Sequence, residues 1–300
     1  MALFQETQIN VAAQRAAIGL TKHIPEFAAF AKNFTPQPNF YGNGVAVPVL
    51  GNTQGVLSAQ APGTLTADAW CSNLEQANGA VIPLNKDFIK TFAITDYEAG
   101  VTEKNDLYLA DMGYAIGDYI GEAIATELFT NVLSEANISA ANGEVLSAAM
   151  PTTKTGFTGL LSVACDKGLN PYDCVLALNP ASYSALVDAL PYNVFGTQDA
   201  VAYGAVGRFA GFRDVVLVPQ LTGNVKGLII PWNTLGIVAR WNKPADGGEG
   251  VVQYWVEADE KTSLPIGYRA FYHNCKGALI FGGDCLFGAK IVQKGITVLK

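Results

Sequence analysis

The chain has 300 residues, half of them hydrophobic and only 15% charged, so it can bury a sizeable core and is not globally disordered. Its 31 glycines, 14 prolines, 12 tyrosines and 15 phenylalanines call for many turns and a strong strand component, which excludes a wholly helical bundle. A net charge of −7 and a pI of about 4.9 are the opposite of the basic footprint that displaces counterions from phosphates, and so disfavour tight binding to DNA or RNA.

The five cysteines, Cys71, Cys165, Cys174, Cys275 and Cys285, are odd in number, far apart and without a CxxC pair. They read as reduced and mostly buried small hydrophobes rather than as disulfides or a zinc site. The N-terminus lacks the basic start and apolar block of a signal peptide, and no stretch approaches the ~18 apolar residues of a membrane span. The expected compartment is the cytoplasm of the cell that makes the protein, with no membrane partner.

In chain order, residues 5–32 place Ile9, Ala13, Ala16, Ala17, Leu20 and Ile24 at spacings of three and four, which predicts an amphipathic helix interrupted near Pro25. With so little large apolar surface it must lie against something else. Between residues 34 and 79, prolines 36, 38, 48 and 62 alternate with glycines 42, 44, 51, 55 and 63. This reads as a long excursion or extended hairpin that packs on another chain, or else as a small β-subdomain.

The alternation of Phe88, Lys90, Phe92 and Ile94 predicts a strand. The strongest helical stretch follows at residues 102–136, where Met112, Ile116, Ile120, Ile124 and Leu128 recur every four residues and acidic Glu103, Asp106 and Asp111 sit near the start. At about 1.5 Å per residue it would be a strut of ~50 Å. Asn179 followed by Pro180 predicts a capped helix over 181–190. Strands are expected at 215–218, 228–230 and 235–241, which together predict a compact mixed unit over residues 150–243. Further strands are expected at 251–257, 268–273 and 278–281. Because the long helix precedes the mixed unit and these strands follow it, the mixed unit reads as an insertion into a second domain, with residues 1–79 as appendages.

No phosphate-cradling, dinucleotide-binding, nucleophile-elbow or zincin motif occurs. His23 and His273 are the only histidines. His273 and Cys275 share one face of a strand, but without an orienting group or an oxyanion site they read as a partly buried pair. Asp96 with Glu98, and Asp259 with Glu260, read as solvated turn carboxylates rather than an acid and base. Phe209, Phe212, Tyr254, Trp255, Phe271 and Tyr272 lack a basic groove and read as core and interface packing rather than a base-stacking platform. Catalytic, cofactor-binding and metal-binding residues are therefore all expected to be absent.

The order of a helical N-arm, a Gly/Pro-rich excursion, a long spine helix after an acidic turn, an inserted mixed domain and returning strands resembles the tailed-phage major capsid protein of the Hong Kong ninety-seven type. Locally, Val175-Leu176-Ala177-Leu178-Asn179-Pro180-Ala181 looks like the strand, turn and helix of the family's apical domain. Gly207-Arg208-Phe209-Ala210-Gly211-Phe212 before Val215 to Val218 is similar to its Gly-rich approach to a strand. Tyr268 to Tyr272 and Gly277 to Ile280 look like its closing peripheral strands.

The resemblance implies an α+β phage capsid fold with an N-terminal arm (1–39), an extended loop (40–79), a peripheral domain with the spine helix (80–149), an inserted apical domain (150–243) and peripheral return strands (244–300). It implies a non-enzymatic subunit that self-assembles as hexamers and pentamers into the icosahedral head shell of a virion. Its implied partners are further copies of itself, a separate scaffolding protein, a portal, decoration proteins, and packaged DNA enclosed without sequence-specific binding. The encapsulin shell of bacterial nanocompartments is the alternative within the fold, and an enzyme of unknown reaction or a tail-tube component the alternatives outside it.

Two departures from the family pattern qualify what carries over. Some relatives begin with a fused scaffolding segment, whereas here the excursion starts after only about forty residues, so scaffolding is expected to be supplied separately or to be unnecessary. No lysine lies between Asn33 and Asn85, so the Lys-Asn cross-links of other relatives have no loop lysine to form from. Assembled particles boiled in denaturant and reductant should accordingly run as one band near 31.7 kDa on a denaturing gel, and a reductant-resistant ladder would contradict this.

Overall fold

In this computed structural model the structure describes residues 6–21, 30–34, 44–49, 78–95, 106–144, 146–189, 209, 211–232, 234–240, 252–258, 265–275 and 278–300. The N-terminal pattern forms helix α1 (Glu6–Thr21). The spine begins as α2 (Asp106–Thr126), so the acidic residue Asp106 stands at its positive end.

The two helices cross with their backbones almost touching. A Cβ added at Gly113 would strike the carbonyl oxygen of Ala12, one at Gly117 that of Ala16, and one at Gly19 that of Tyr114. Glycines four apart on α2 and alanines four apart on α1 therefore make a small-residue seam. Ala12, Ala16 and Leu20 lie in the same buried core as Ile116, Ile120 and Ile124. The N-terminal segment is thus no appendage. Strand β1 (Ala31–Asn33) continues it and pairs in parallel with a strand of the main sheet.

The ~50 Å strut expected over 102–136 is not a single helix. α2 has 21 residues, about 31 Å. It passes into a π-helical turn, Glu127–Val132, in which Leu133 N–H donates to the Leu128 carbonyl at 2.7 Å. Ser134 then adopts an extended conformation and its hydroxyl caps α3 (Glu135–Asn142), which ends at Gly143 in the left-handed region. Apolar spacing alone could not reveal this break. Leu128, Phe129, Leu133 and Ile138 all still face the core across it. Residues 102–105 lie outside the described residues.

The main sheet is organised by one strand, β12 (Ala278–Ile291), far longer than the run expected at 278–281. Along one edge lies β4 (Lys86–Thr95); along the other, β11 (Pro265–Cys275) covers its first half and β9 (Leu235–Arg240) its second. β10 (Val252–Ala258) pairs with β11. Phe88, Phe92, Cys285 and Phe287 turn one face onto α2 and the main core. On the opposite face Phe34, Ile82, Leu84 and Val238 form a smaller cluster.

The second sheet runs β5 (Ser147–Ala148), β13 (Thr297–Leu299), β8 (Gly227–Pro231), β6 (Cys174–Leu178), β7 (Asp214–Leu217). Its three central strands, β13, β8 and β6, are buried on both faces. Val175, Ala177, Leu228, Ile230 and Val298 point into the core shared with α2. Leu176, Leu178, Ile229 and Leu299 point to a second cluster under α4 (Lys154–Asp166) and α5 (Pro180–Ala189). Asn179 caps α5 as expected, its side-chain oxygen accepting from Ser182 N–H at 2.8 Å.

The sheets cut across the boundaries expected from the sequence. β9 falls within 150–243 but belongs to the main sheet, and β13 falls within 244–300 but belongs to the second. Buried Asn142 holds β13 in place, donating to the Ile296 carbonyl and accepting from Gly295 N–H, both at 2.8 Å. Three buried residues at a chain end pair wherever an open edge and an apolar socket meet them, and no sequence pattern specifies that choice.

Gly117→Ala should destabilise the subunit by about 3 kcal/mol, because backbone rather than a side chain occupies the space a Cβ needs. Gly159→Ala, in α4 with nothing near its Cβ position, should instead stabilise by about 0.5–1 kcal/mol. Chemical denaturation of both variants checks the pair.

Candidate assembly surfaces

Among the described residues no group of three or more His, Cys, Asp or Glu side chains could hold a metal, and no helix is long and apolar enough to cross a membrane. His273 and Cys275 stand two apart on β11, opposite Ile280 and Ala278 of β12. His23, Asp96, Glu98, Asp259 and Glu260 lie outside the described residues. Phe212 is fully buried, and Phe209 packs edge-on against Phe157 with ring centroids 6.4 Å apart, so both serve the second core. Cys174 and Cys285 are buried and Cys165 is exposed, so two of the three described thiols lie inside.

Three surfaces stand out instead. The first is a two-stranded ribbon in which β2 (Gly44–Val49) pairs with β3 (Asn78–Pro83) from Gly44 opposite Pro83 to Val49 opposite Asn78. An isolated two-stranded ribbon is marginal in water. Among the described residues its contacts with the body lie at its root. Ile82 is fully buried against Phe34 and Val238, and Gly236 makes room for it, since a Cβ there would lie 2.7 Å from the Ile82 side chain. Gly288 lets the Pro83 carbonyl press directly on β12, and Lys290 Nζ donates to the Val81 carbonyl at 3.2 Å. The Val81 side chain beside this anchor is 54% exposed.

The second surface is a groove of about 510 Å³ between β3, the end of β12 and α3, lined by Val81, Pro83, Val132, Ala140 and Ile291 among others. A smaller polar depression of about 240 Å³ adjoins it, where Lys86 and Glu127 pair at 3.1 Å and Asn137 donates to the Asn131 carbonyl at 2.7 Å. The π-helical turn supplies Glu127 and Asn131 to this depression and Val132 to both it and the groove.

The third lies where β6 begins. The 3-10 turn Pro171–Asp173 presents Tyr172, which is 71% exposed, and beside it the Arg213 guanidinium stacks 3.6 Å over the Trp232 ring. Exposed aliphatic, aromatic and guanidinium groups on fixed backbone are the composition of protein–protein contacts. Most of the excursion expected over residues 40–79 lies outside the described residues. Sequence reasoning missed the groove and the Arg-Trp stack, which join residues 19 or more apart in the chain.

No protein-family profile and no curated sequence matches the chain. Solved structures do. The capsid of the cyanophage P-SCSP1u is 16% identical and superposes with a TM-score of 0.51 over 91% of this chain and 86% of its own. The capsid of an empty GTA particle is 14% identical, with a TM-score of 0.52 over 90% and 94%. A virus-like particle from Pyrococcus furiosus is 10% identical, with a TM-score of 0.52 over 96% of this chain and 98% of its own.

Burial raises the Cys174 thiol to about 12, with smaller contributions from Asp173 and Cys165. Because the folded value lies above the unfolded one, the neutral thiol favours the fold below pH 9, and this contribution is lost as pH rises from about 9 towards 12. Iodoacetamide at pH 8 should label Cys165 in the native subunit and leave Cys174 and Cys285 unmodified until unfolding, as read by peptide mass spectrometry.

These likenesses extend over 90% or more of the chain, and the protein has the α+β fold that these capsid and particle subunits share.

Proposed function

We propose that the chain is a major capsid protein whose activity is self-assembly into the icosahedral head shell of a tailed phage. The observation that carries this reading is the β2–β3 ribbon, a two-stranded projection rooted by Ile82 with the exposed Val81 beside its anchor, on a fold otherwise seen in shells. Such a ribbon gains stability when laid on a neighbour, and obligate interfaces of this kind commonly bury more than ~2,000 Å².

On this reading the two sheets correspond to the peripheral and apical units, and the partners are further copies in hexamers and pentamers. A separate scaffolding protein, a portal and decoration proteins complete the head, which is assembled in the host cytoplasm. The acidic chain suits a container whose DNA slides rather than adheres. An encapsulin-type shell around protein cargo is the second reading, to which the likeness to a virus-like particle lends support. Nuclease-protected DNA in particles from the native source separates the two.

Purified protein, with its scaffold if one is needed, should form rings or closed particles of hundreds of subunits by light scattering and negative-stain microscopy. A well-folded monomer at high concentration under those conditions would overturn the proposal. Replacing residues 50–77, between β2 and β3, with a short Gly/Ser linker should leave the far-UV circular dichroism and thermal unfolding of the subunit nearly unchanged, since loop length costs little, while particle formation fails.

A further inference from the structure

The third surface carries more than its exposure. The turn beneath Tyr172 is fixed from several sides. Asn170 accepts from Tyr172 N–H at 3.3 Å and donates to the Asp173 carboxylate at 2.8 Å, Trp232 N–H donates to the Asp173 carbonyl at 2.7 Å, and Arg213 N–H donates to the Cys174 carbonyl at 2.9 Å. Gly211, in the left-handed region, passes beside the Tyr172 ring, where a Cβ would lie 2.9 Å from the Leu161 side chain. The phenol is therefore held outward before any partner arrives, which lowers the entropy lost on binding.

Arg213 uses the flat face of its guanidinium on Trp232, which leaves the N–H edge for a planar acceptor. Among the described residues no carboxylate lies within ion-pair distance of it. A Trp-Tyr-Arg cluster on fixed backbone has the composition of an interface hot spot, and its free charge calls for a carboxylate.

The same chain carries such a carboxylate in an otherwise unfavourable place. Asp188 is exposed in the last turn of α5, at the negative end of the helix dipole, with no cation paired to it among the described residues. A cation that meets the carboxylate there would offset its unfavourable interaction with the dipole.

We infer that the Tyr172–Arg213–Trp232 patch of one subunit docks a second copy of this chain, with Arg213 pairing Asp188 of that copy. At a net charge of −7, copies repel one another unless complementary charges meet, and patch and counter-charge on different parts of one surface make a head-to-tail contact that can repeat around a ring. This inference rests on the shell function proposed above and names one of its contacts.

Charge reversal with mixing tests it. Arg213→Glu and Asp188→Arg should each lower the yield of six-membered rings about tenfold at low salt, because each puts like charges in contact. Circular dichroism and thermal unfolding of the dissociated subunits should stay unchanged. Co-expressed in equal amounts, the two variants should recover rings to within about twofold of wild type, since alternating copies restore an opposite-charge pair at every contact. Tyr172→Ala, which alters no charge, should lower ring yield without being rescued by either variant. Variants that assemble like wild type, or a mixture as defective as its components, would overturn this contact alone. Wild-type protein that stays monomeric would overturn the shell function and the contact together.

Discussion

The crossing of α1 on α2 is the constraint on which the rest of the subunit depends. Gly113 and Gly117 on the spine and Ala12, Ala16 and Gly19 on the N-terminal helix let the two backbones meet with no side chain between them. Because α1 covers the spine so closely, the spine's larger residues, Ile116, Ile120 and Ile124, are fully buried in the core that the main sheet lines. Burial of each such side chain contributes roughly 1.5–3 kcal/mol. A methyl group in the seam would lift α1 off and uncover the small-residue face, so the N-terminal helix sets the position of the spine.

From that strut the core continues without a break into the second sheet. Val175, Ala177, Leu228, Ile230 and Val298 share one buried cluster with the spine and with Cys285 and Phe287 of β12. The connections reinforce this, for β9 leaves the second sheet's part of the chain to join β12, while β13 leaves β12 to join β8. Such a body presents its attached surfaces in fixed relative positions. In the shell proposed above, fixed positions would keep the cost of ordering each subunit on assembly low.

The irregular turn of the spine ties these surfaces to the core. The backbone changes hydrogen-bond register at Glu127–Val132, where Glu127 meets Lys86 and Asn131 meets Asn137 in the polar depression beside the groove, with Leu128 and Phe129 still inside. Phe30, just before β1, stacks edge-on against Phe129 with ring centroids 5.9 Å apart, so the N-terminal segment grips the spine here as well as at the glycine seam. π-helical turns recur at functional positions because they expose backbone and side chains that a regular helix would bury.

Much of the fold was legible in the amino-acid sequence by itself. Period-four apolar residues marked the spine, alternation marked β4, the Asn179-Pro180 pair marked α5, and prolines with glycines marked the excursion, because these signals act within a few residues of the chain. Net charge and the missing motifs likewise bounded the chemistry. Tertiary structure alone decided the rest. The spine stops at Ser134 because a side-chain cap and a left-behind carbonyl compete with the next helical turn, a balance that apolar periodicity does not register. Glycines 113 and 117 read as ordinary weak helix positions until Ala12 and Ala16 are seen against them. The sheet to which β9 and β13 belong, and the meeting of Arg213 with Trp232, depend on contacts between residues distant in the chain, where packing and open strand edges rather than local preference choose the partner.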